Sequence, residues 1–402
     1  MPAPLVSIAL PTKNRAFLLG DCIRCALDQS YENIELVVAD NDDTDATEKV
    51  VSRFNDPRLR HVKTGGLSMP DNWEHAFLKT KGSIITMLED KQFLKHHAVE
   101  TIVRQFEDAS VDIVTWGSNS FDDLGFFKRV WLTPLTRKTE VLSSDAVLEK
   151  FLKGSSSEWS HFLPIAHLSA VRRELAEKVA ASVTGRQFIP VSPDYTSAFQ
   201  WLAHGEKVVC LADALVLYAT KQHSNGRAIM LKLPRSGNFF AELKMKNSGC
   251  YDRIPVKALT IPGSIYNDYL NVREIVGMRL SQHDVDLPRL YLAIQASIGS
   301  ALREGVDMTE ELTAWQTALD AEAPAVREEV LRLAKIVQPK SAAARLVKKF
   351  EGSIKGVWKS WILRCPEWRF RSASEFIQHE KDRYLARHTR PIDPSLDRPK
   401  CT

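Results

Sequence analysis

Two short apolar runs, each stopped by a polar residue, constrain this chain more than any other feature. Residues 5–10 are a near-continuous apolar stretch halted by Pro11-Thr12, and Ile34–Ala39 runs into Asp40. Such runs suit strands buried on both faces. Between them Leu18, Leu19, Cys22, Ile23, Ala26 and Leu27 recur at helical spacing, which predicts a helix over roughly residues 16–29. The alternation continues. Strands are expected at 59–63, 83–88 and 112–116, and helices at 45–54, 70–80 and 96–108. Short buried strands joined by helices imply right-handed crossovers and a mostly parallel sheet. Ligands bind such sheets at the carboxyl ends of neighbouring strands, where Thr12, Asp40 and the pair Glu89-Asp90 fall.

Farther along, helices are expected at 143–153, 168–181 and 194–204, with strands at 207–211 and 215–219. Beyond about residue 230 the pattern turns helical, at 238–247, 265–280, 288–304, 309–319 and 323–337. The expected organisation is an α/β domain over 1–230, a helical domain over 231–340 and a basic amphipathic segment over 341–402. With 402 residues, 44% hydrophobic and 26% charged, the chain has enough material for two or three cored domains. No apolar stretch approaches the length of a bilayer span. The start lacks the features of a signal peptide, so a cytoplasmic protein is expected.

Cys22 and Cys25 form a C-x-x-C inside the first helix pattern, without a second pair. Core thiols are the simpler reading, and a redox or zinc site is the alternative. Residues 340–371 hold nine Lys/Arg against two acids, so the excess positive charge is local. Within 341–364 an apolar stripe carrying Trp358 and Trp361 lies apart from Lys348, Lys349, Lys355 and Lys359. Two readings stay open. The stripe docks on an anionic membrane surface, or it packs on the helical domain. Nucleic acid is not expected, since no recognised motif accompanies the charge.

Pro11-Thr12, the turn Asp40-Asn41-Asp42-Asp43-Thr44-Asp45, Asn72-Trp73-Glu74-His75-Ala76 and Gly82 follow one another in an order that resembles the inverting, non-processive family-two glycosyltransferases. The resemblance is strong over 1–115, weaker over 185–227 and absent beyond. It implies a GT-A (Rossmann-like) fold, a nucleoside diphosphate sugar as donor, with UDP the expected nucleotide, and a glycan or lipid-linked acceptor. By the same resemblance Asp40 holds the base, Pro11, Thr12 and Asn14 lie near base and ribose, and Asn72 belongs to the donor site. Asp194, in Ser192-Pro193-Asp194-Tyr195, is the expected catalytic base, with helix capping as the structural alternative.

The chain departs from the family at the Asp-rich motif, which here reads Glu89-Asp90-Lys91-Gln92. Two readings remain. Asp90 holds Mg2+ or Mn2+, with His223 as a second ligand, or Lys91 replaces the metal against the leaving diphosphate. Arg227 is a candidate phosphate contact. The function expected is inverting sugar transfer in surface polysaccharide synthesis, at the inner face of a bacterial membrane. A non-catalytic protein that kept the fold is the competing class. A dinucleotide dehydrogenase is not expected, because no Gly-x-Gly-x-x-Gly follows the first strand.

Overall fold

The computed structural model describes residues 3–122, 129–132, 138–154, 158–220, 223–244, 246–337, 370 and 372–388. The segment 341–364 lies outside them. The strands are β1 (Val6–Thr12), β2 (Ile34–Asp40), β3 (Leu59–Lys63), β4 (Ile84–Met87), β5 (Gln92–Leu94), β6 (Ile113–Asp122), β7 (Arg129–Trp131), β8 (Glu140–Ser143), β9 (Ser169–Arg172) and β10 (Lys207–Tyr218). The helices on the sheet are α1 (Ala16–Leu27), α2 (Ala46–Val51), α3 (Met69–Leu78), α4 (Ala98–Gln105), α5 (Ser144–Lys153), α6 (Arg173–Ala180) and α7 (Pro193–His204). Then come α8 (Asn225–Met230), α9 (Arg235–Glu242), α10 (Ile261–Val276), α11 (Leu287–Arg303), α12 (Thr309–Ala321), α13 (Pro324–Val337) and α14 (Ala373–His388).

The sheet order is β3-β2-β1-β4-β9-β6-β10-β5, with β7 on β6 and β8 on β10. β1 runs parallel to β2 and β4, β2 to β3, and β6 to β10, as the alternating pattern required. β9 is antiparallel to both β4 and β6, which makes the sheet mixed. This is a GT-A-like α/β fold followed by helices. Every residue of β1 and β2 is buried, consistent with helices on both faces. Leu19, Cys22, Ile23 and Ala26 are the buried face of α1. Neither Cys22 nor Cys25 is in a disulfide, and burial drives the Cys25 thiol up to about 12.

One expectation failed locally. A helix was expected from 168, but Ser169–Arg172 is a strand and the helix starts at Arg173. Leu168, Val171, Leu175 and Val179 fit helical spacing, yet the backbone of 169–172 pairs with two strands far away in sequence. A four-residue buried strand has no periodicity of its own with which to announce itself.

The change from strands to helices near residue 230 does not interrupt the core. Tyr266 and Tyr269 of α10 pack on Phe151 and Phe199, with ring centroids 5.2 Å apart in both the Phe151–Tyr266 and Phe199–Tyr269 pairs. α10 itself starts on a built cap. The Thr260 hydroxyl accepts the Gly263 N–H at 3.2 Å, and Pro262 occupies the first turn. α14 returns to the first helices, where Lys381 pairs with Asp28 at 2.6 Å and the Tyr384 hydroxyl donates to Glu100 at 2.9 Å.

Candidate functional site

The carboxyl ends of β1, β2 and β4 open onto a cavity of about 210 Å³. Of the residues expected at the donor site, Pro11, Thr12, Asn14, Asn72 and Asp90 line it. Lys13, Arg15, Trp73, Glu89, Asn225 and Glu242 line it as well. A larger hollow of about 550 Å³ lies among α11, α12 and α13, bordered by residues such as Trp315, Asp320 and Arg327. It holds none of the strand-end residues.

Local hydrogen bonds fix the cavity rim. Asn14 adopts a left-handed backbone at φ 56°, which Asn tolerates better than most residues. Its amide donates to Asp43 at 2.7 Å, and its backbone N–H donates to Asp42. The acidic turn is thereby tied to the end of β1. Asn72 sits in α3, which is capped by Ser68 and carries Pro70 in its first turn. Its amide nitrogen lies 3.4 Å from the carbonyls of both Thr12 and Ala39, and its oxygen accepts the Thr64 hydroxyl at 3.0 Å. Asn72 therefore stitches β1 to β2 as well as lining the cavity.

Asp40 is fully buried below the rim. Its carboxylate accepts the Asp42 N–H at 3.0 Å and meets His61 Nε2 at 2.9 Å. It does not line the cavity, whereas its neighbour Asn41 does. Asp45 is no side-chain cap for α2. It pairs with Lys49 at 2.7 Å instead.

At the end of β4 each acid has a cation. Asp90 Oδ2 accepts the Thr12 hydroxyl at 2.9 Å, and Oδ1 accepts Arg15 at 3.0 Å. Lys91 Nζ sits 3.0 Å from Glu89 Oε1. Burial raises the Glu89 carboxyl, but Lys91, His167 and Arg15 outweigh it and bring it down to about 2. Lys91, expected over the diphosphate, is spent on Glu89 and does not line the cavity. Arg15 is a cation that does, and sequence pattern did not single it out.

The donor set does not fit a divalent ion. Both oxygens of Asp90 are already hydrogen-bonded, one of them to a guanidinium. His223, the other expected ligand, packs its ring on Phe17 at 4.9 Å. Among the described residues no group of three or more His, Cys, Asp or Glu side chains is placed to hold a metal. Arg227 reaches toward Glu304 at 3.5 Å and does not line the cavity, although Asn225 of the same helix does.

Asp194 lies in the first turn of α7, and Ser192, the residue at the cap, makes no side-chain cap bond. The loop that delivers it is held from three sides. Glu74 of α3 accepts the N–H groups of Gln187 at 2.8 Å and Phe188 at 2.9 Å. The Thr196 hydroxyl donates to the Ile189 carbonyl at 2.7 Å. Asp268 of α10 accepts Val191 N–H at 3.2 Å and Ser192 N–H at 3.0 Å. Burial drives the Asp268 carboxyl up to about 7 against these bonds.

His167 connects Asp194 to the strand ends. Its Nδ1 is 3.9 Å from Asp194 Oδ2, and its Nε2 is 4.0 Å from Glu89 Oε2. Trp73 and Tyr218 meet the imidazole edge-on at 6.2 and 6.1 Å. Nδ1 is buried without a hydrogen bond. Burial raises the Asp194 carboxyl, and the charge on His167 opposes the rise. His167 escaped the sequence reading because it precedes the misread strand β9.

Residues 7–180 match the family model described as glycosyl transferase family 2. This stretch belongs to glycosyl transferase family 2. Glycosyltransferase GlyG of Streptococcus pneumoniae serotype 4 is 24% identical over 230 residues, covering 55% of this chain and 72% of that protein. Chondroitin synthase of Pasteurella multocida is 32% identical over 107 residues, which are 26% of this chain and only 11% of that protein. Among solved structures, Staphylococcus aureus TarS 1–349 in complex with UDP-GlcNAc superposes with a TM-score of 0.50 at 13% identity, covering 78% of this chain and 79% of that one. That likeness shows the fold alone. The match to the glycosyltransferase family accounts for the order of Pro11-Thr12, the acidic turn and Asn72, all of which fall within residues 7–180.

Proposed function

We propose that the chain transfers a sugar from a nucleoside diphosphate sugar, UDP-linked by expectation, to a glycan or lipid-linked acceptor with inversion. The observation that carries this is the placement of Asp194. Its half-buried carboxylate lies 3.9 Å from His167, and His167 lies 4.0 Å from Glu89, which lines the strand-end cavity of a family 2 domain. In the proposed step the acceptor hydroxyl oxygen attacks the anomeric carbon from the face opposite the diphosphate. Its proton passes to Asp194, the bond from the anomeric carbon to the diphosphate oxygen breaks, and the nucleoside diphosphate leaves with the electron pair. Pro11, Thr12, Asn14 and Asn72 shape the base and ribose side, with Asp40 buried beneath them. Asp90 orients Arg15. α10 buttresses the base loop through Asp268.

A relative named for polysaccharide synthesis supports a role in building surface polysaccharide. No helix among the described residues is long and apolar enough to cross a membrane. The test is a panel of nucleotide sugars with release of the nucleoside diphosphate as readout. Asp194→Asn is expected to cut turnover by about a thousandfold while donor binding persists. Full turnover in Asp194→Asn, or failure of every nucleotide sugar to bind, would refute the proposal.

A further inference from the structure

A leaving diphosphate gains negative charge, and something in the site must answer it. We propose that Arg15, and no divalent cation, takes that charge in this protein. The proposal rests on the nucleotide-sugar function above.

The cavity is already neutral without a metal. Three acids line it, and each has its own cation: Glu89 with Lys91 at 3.0 Å, Asp90 with Arg15 at 3.0 Å and Glu242 with Lys13 at 3.0 Å. A hard divalent ion needs several oxygens with lone pairs to spare. To bind Asp90 it would have to displace the Thr12 hydroxyl or the guanidinium and then share the cavity with Lys13 and Arg15. Repulsion from those neighbours works against it.

An anion meets the opposite situation. Arg15 uses one terminal nitrogen on Asp90 and points the other at the Asn225 amide oxygen at 3.3 Å. The second contact is long and neutral. A phosphate oxygen would replace it with a shorter, charge-assisted bond. Asp90 is only 2% exposed and cannot swing away, so it holds the guanidinium in place while the outer edge is exchanged. The Arg15 side chain keeps 23% of its surface, enough for a ligand to reach it. α1 begins at the next residue, and its positive dipole end adds to the same field.

The metal and arginine schemes differ in one substitution. If Asp90 is a metal ligand, Asp90→Asn weakens nucleotide binding and removes any stimulation by Mn2+. If Asp90 only orients Arg15, the same variant binds UDP independently of Mn2+ and no more weakly than Arg15→Gln does. Isothermal titration of the full-length, EDTA-stripped protein with UDP, GDP and uridine, each with and without Mn2+, separates them. The result expected is UDP binding without metal, changed by less than about threefold on adding Mn2+. Arg15→Gln is expected to weaken UDP by about tenfold or more and leave uridine unchanged. Circular dichroism of each variant checks that it folds. UDP binding that requires Mn2+ and disappears in Asp90→Asn overturns the inference and leaves the nucleotide-sugar function standing. Undiminished UDP affinity in folded Arg15→Gln also overturns it. Failure of both UDP and GDP to bind under every condition overturns the inference and the function together.

Discussion

Replacing His167 by Asn tests whether the imidazole sets the working pH of Asp194. Burial pushes the Asp194 carboxyl up, Glu89 adds to that, and His167 is the leading opposing charge. At the 3.9 Å separation, an imidazolium and a carboxylate attract by about 4 kcal/mol for an effective dielectric near 20. Asp194 keeps 22% of its side-chain surface in solvent, so screening brings the attraction well below that figure. The sign follows from the role of the base. Asp194 acts only when ionised, so activity rises as pH climbs through its pKa. Without His167 the carboxyl holds its proton to higher pH, and the acid limb of the kcat/KM profile moves up. The groups facing the imidazole are Glu89, Asp194, Trp73 and Tyr218, and Asn spans part of the gap without a charge. The assay is initial rate of nucleoside diphosphate release across pH, alongside donor affinity. A uniform loss at every pH with the acid limb unmoved would mean that His167 only packs, and the electrostatic account would fall.

Three further substitutions probe the scaffold. Glu74→Ala strips the partner from the Gln187 and Phe188 N–H groups, and urea denaturation should show about 2–4 kcal/mol of lost stability together with a fall in kcat. Gly82→Ala places a Cβ 2.5 Å from the Leu5 carbonyl oxygen and 2.8 Å from the Ser7 nitrogen, both backbone atoms beside β1, so a cost of about 2–3 kcal/mol is expected in the same assay. Asp268 carries a carboxyl raised to about 7, so the folded state binds its proton more tightly than the unfolded chain. The stability this contributes is present at low pH and is lost as pH rises from the unfolded value toward 7. Asp268→Asn removes the buried charge, and its melting temperature relative to the parent protein should improve between mildly acidic and mildly alkaline buffer. A variant melting temperature that falls relative to the parent over that range would contradict the assignment.

What was legible in the sequence was local. β1 and β2 announce themselves as buried runs, and the residues that stop them, Thr12 and Asp40, face each other in register across the pair. Ser68 and Pro70 mark the start of α3, and they form its cap and first turn. The missed residues act across distance. Arg15 follows Thr12 by three positions, but only the fold brings Asp90 to it. His167 gave no signal, because β9 borrows the spacing of the helix behind it and pairs with strands whose identity no window of sequence contains. The departure at Lys91 shows how far substitution alone can be read. A lysine where the family carries an acid suggests decay of the site. A decayed site would leave a buried ammonium and a buried carboxylate to find separate remedies, each costly in a low-dielectric interior. Here the ammonium of Lys91 lies on Glu89, and the guanidinium of Arg15 lies on Asp90. Two cations matched to two acids at the end of β4 are the pattern of a site whose charge has been rebalanced. Under the arginine scheme, that balance leaves the outer edge of Arg15 to meet an anionic ligand.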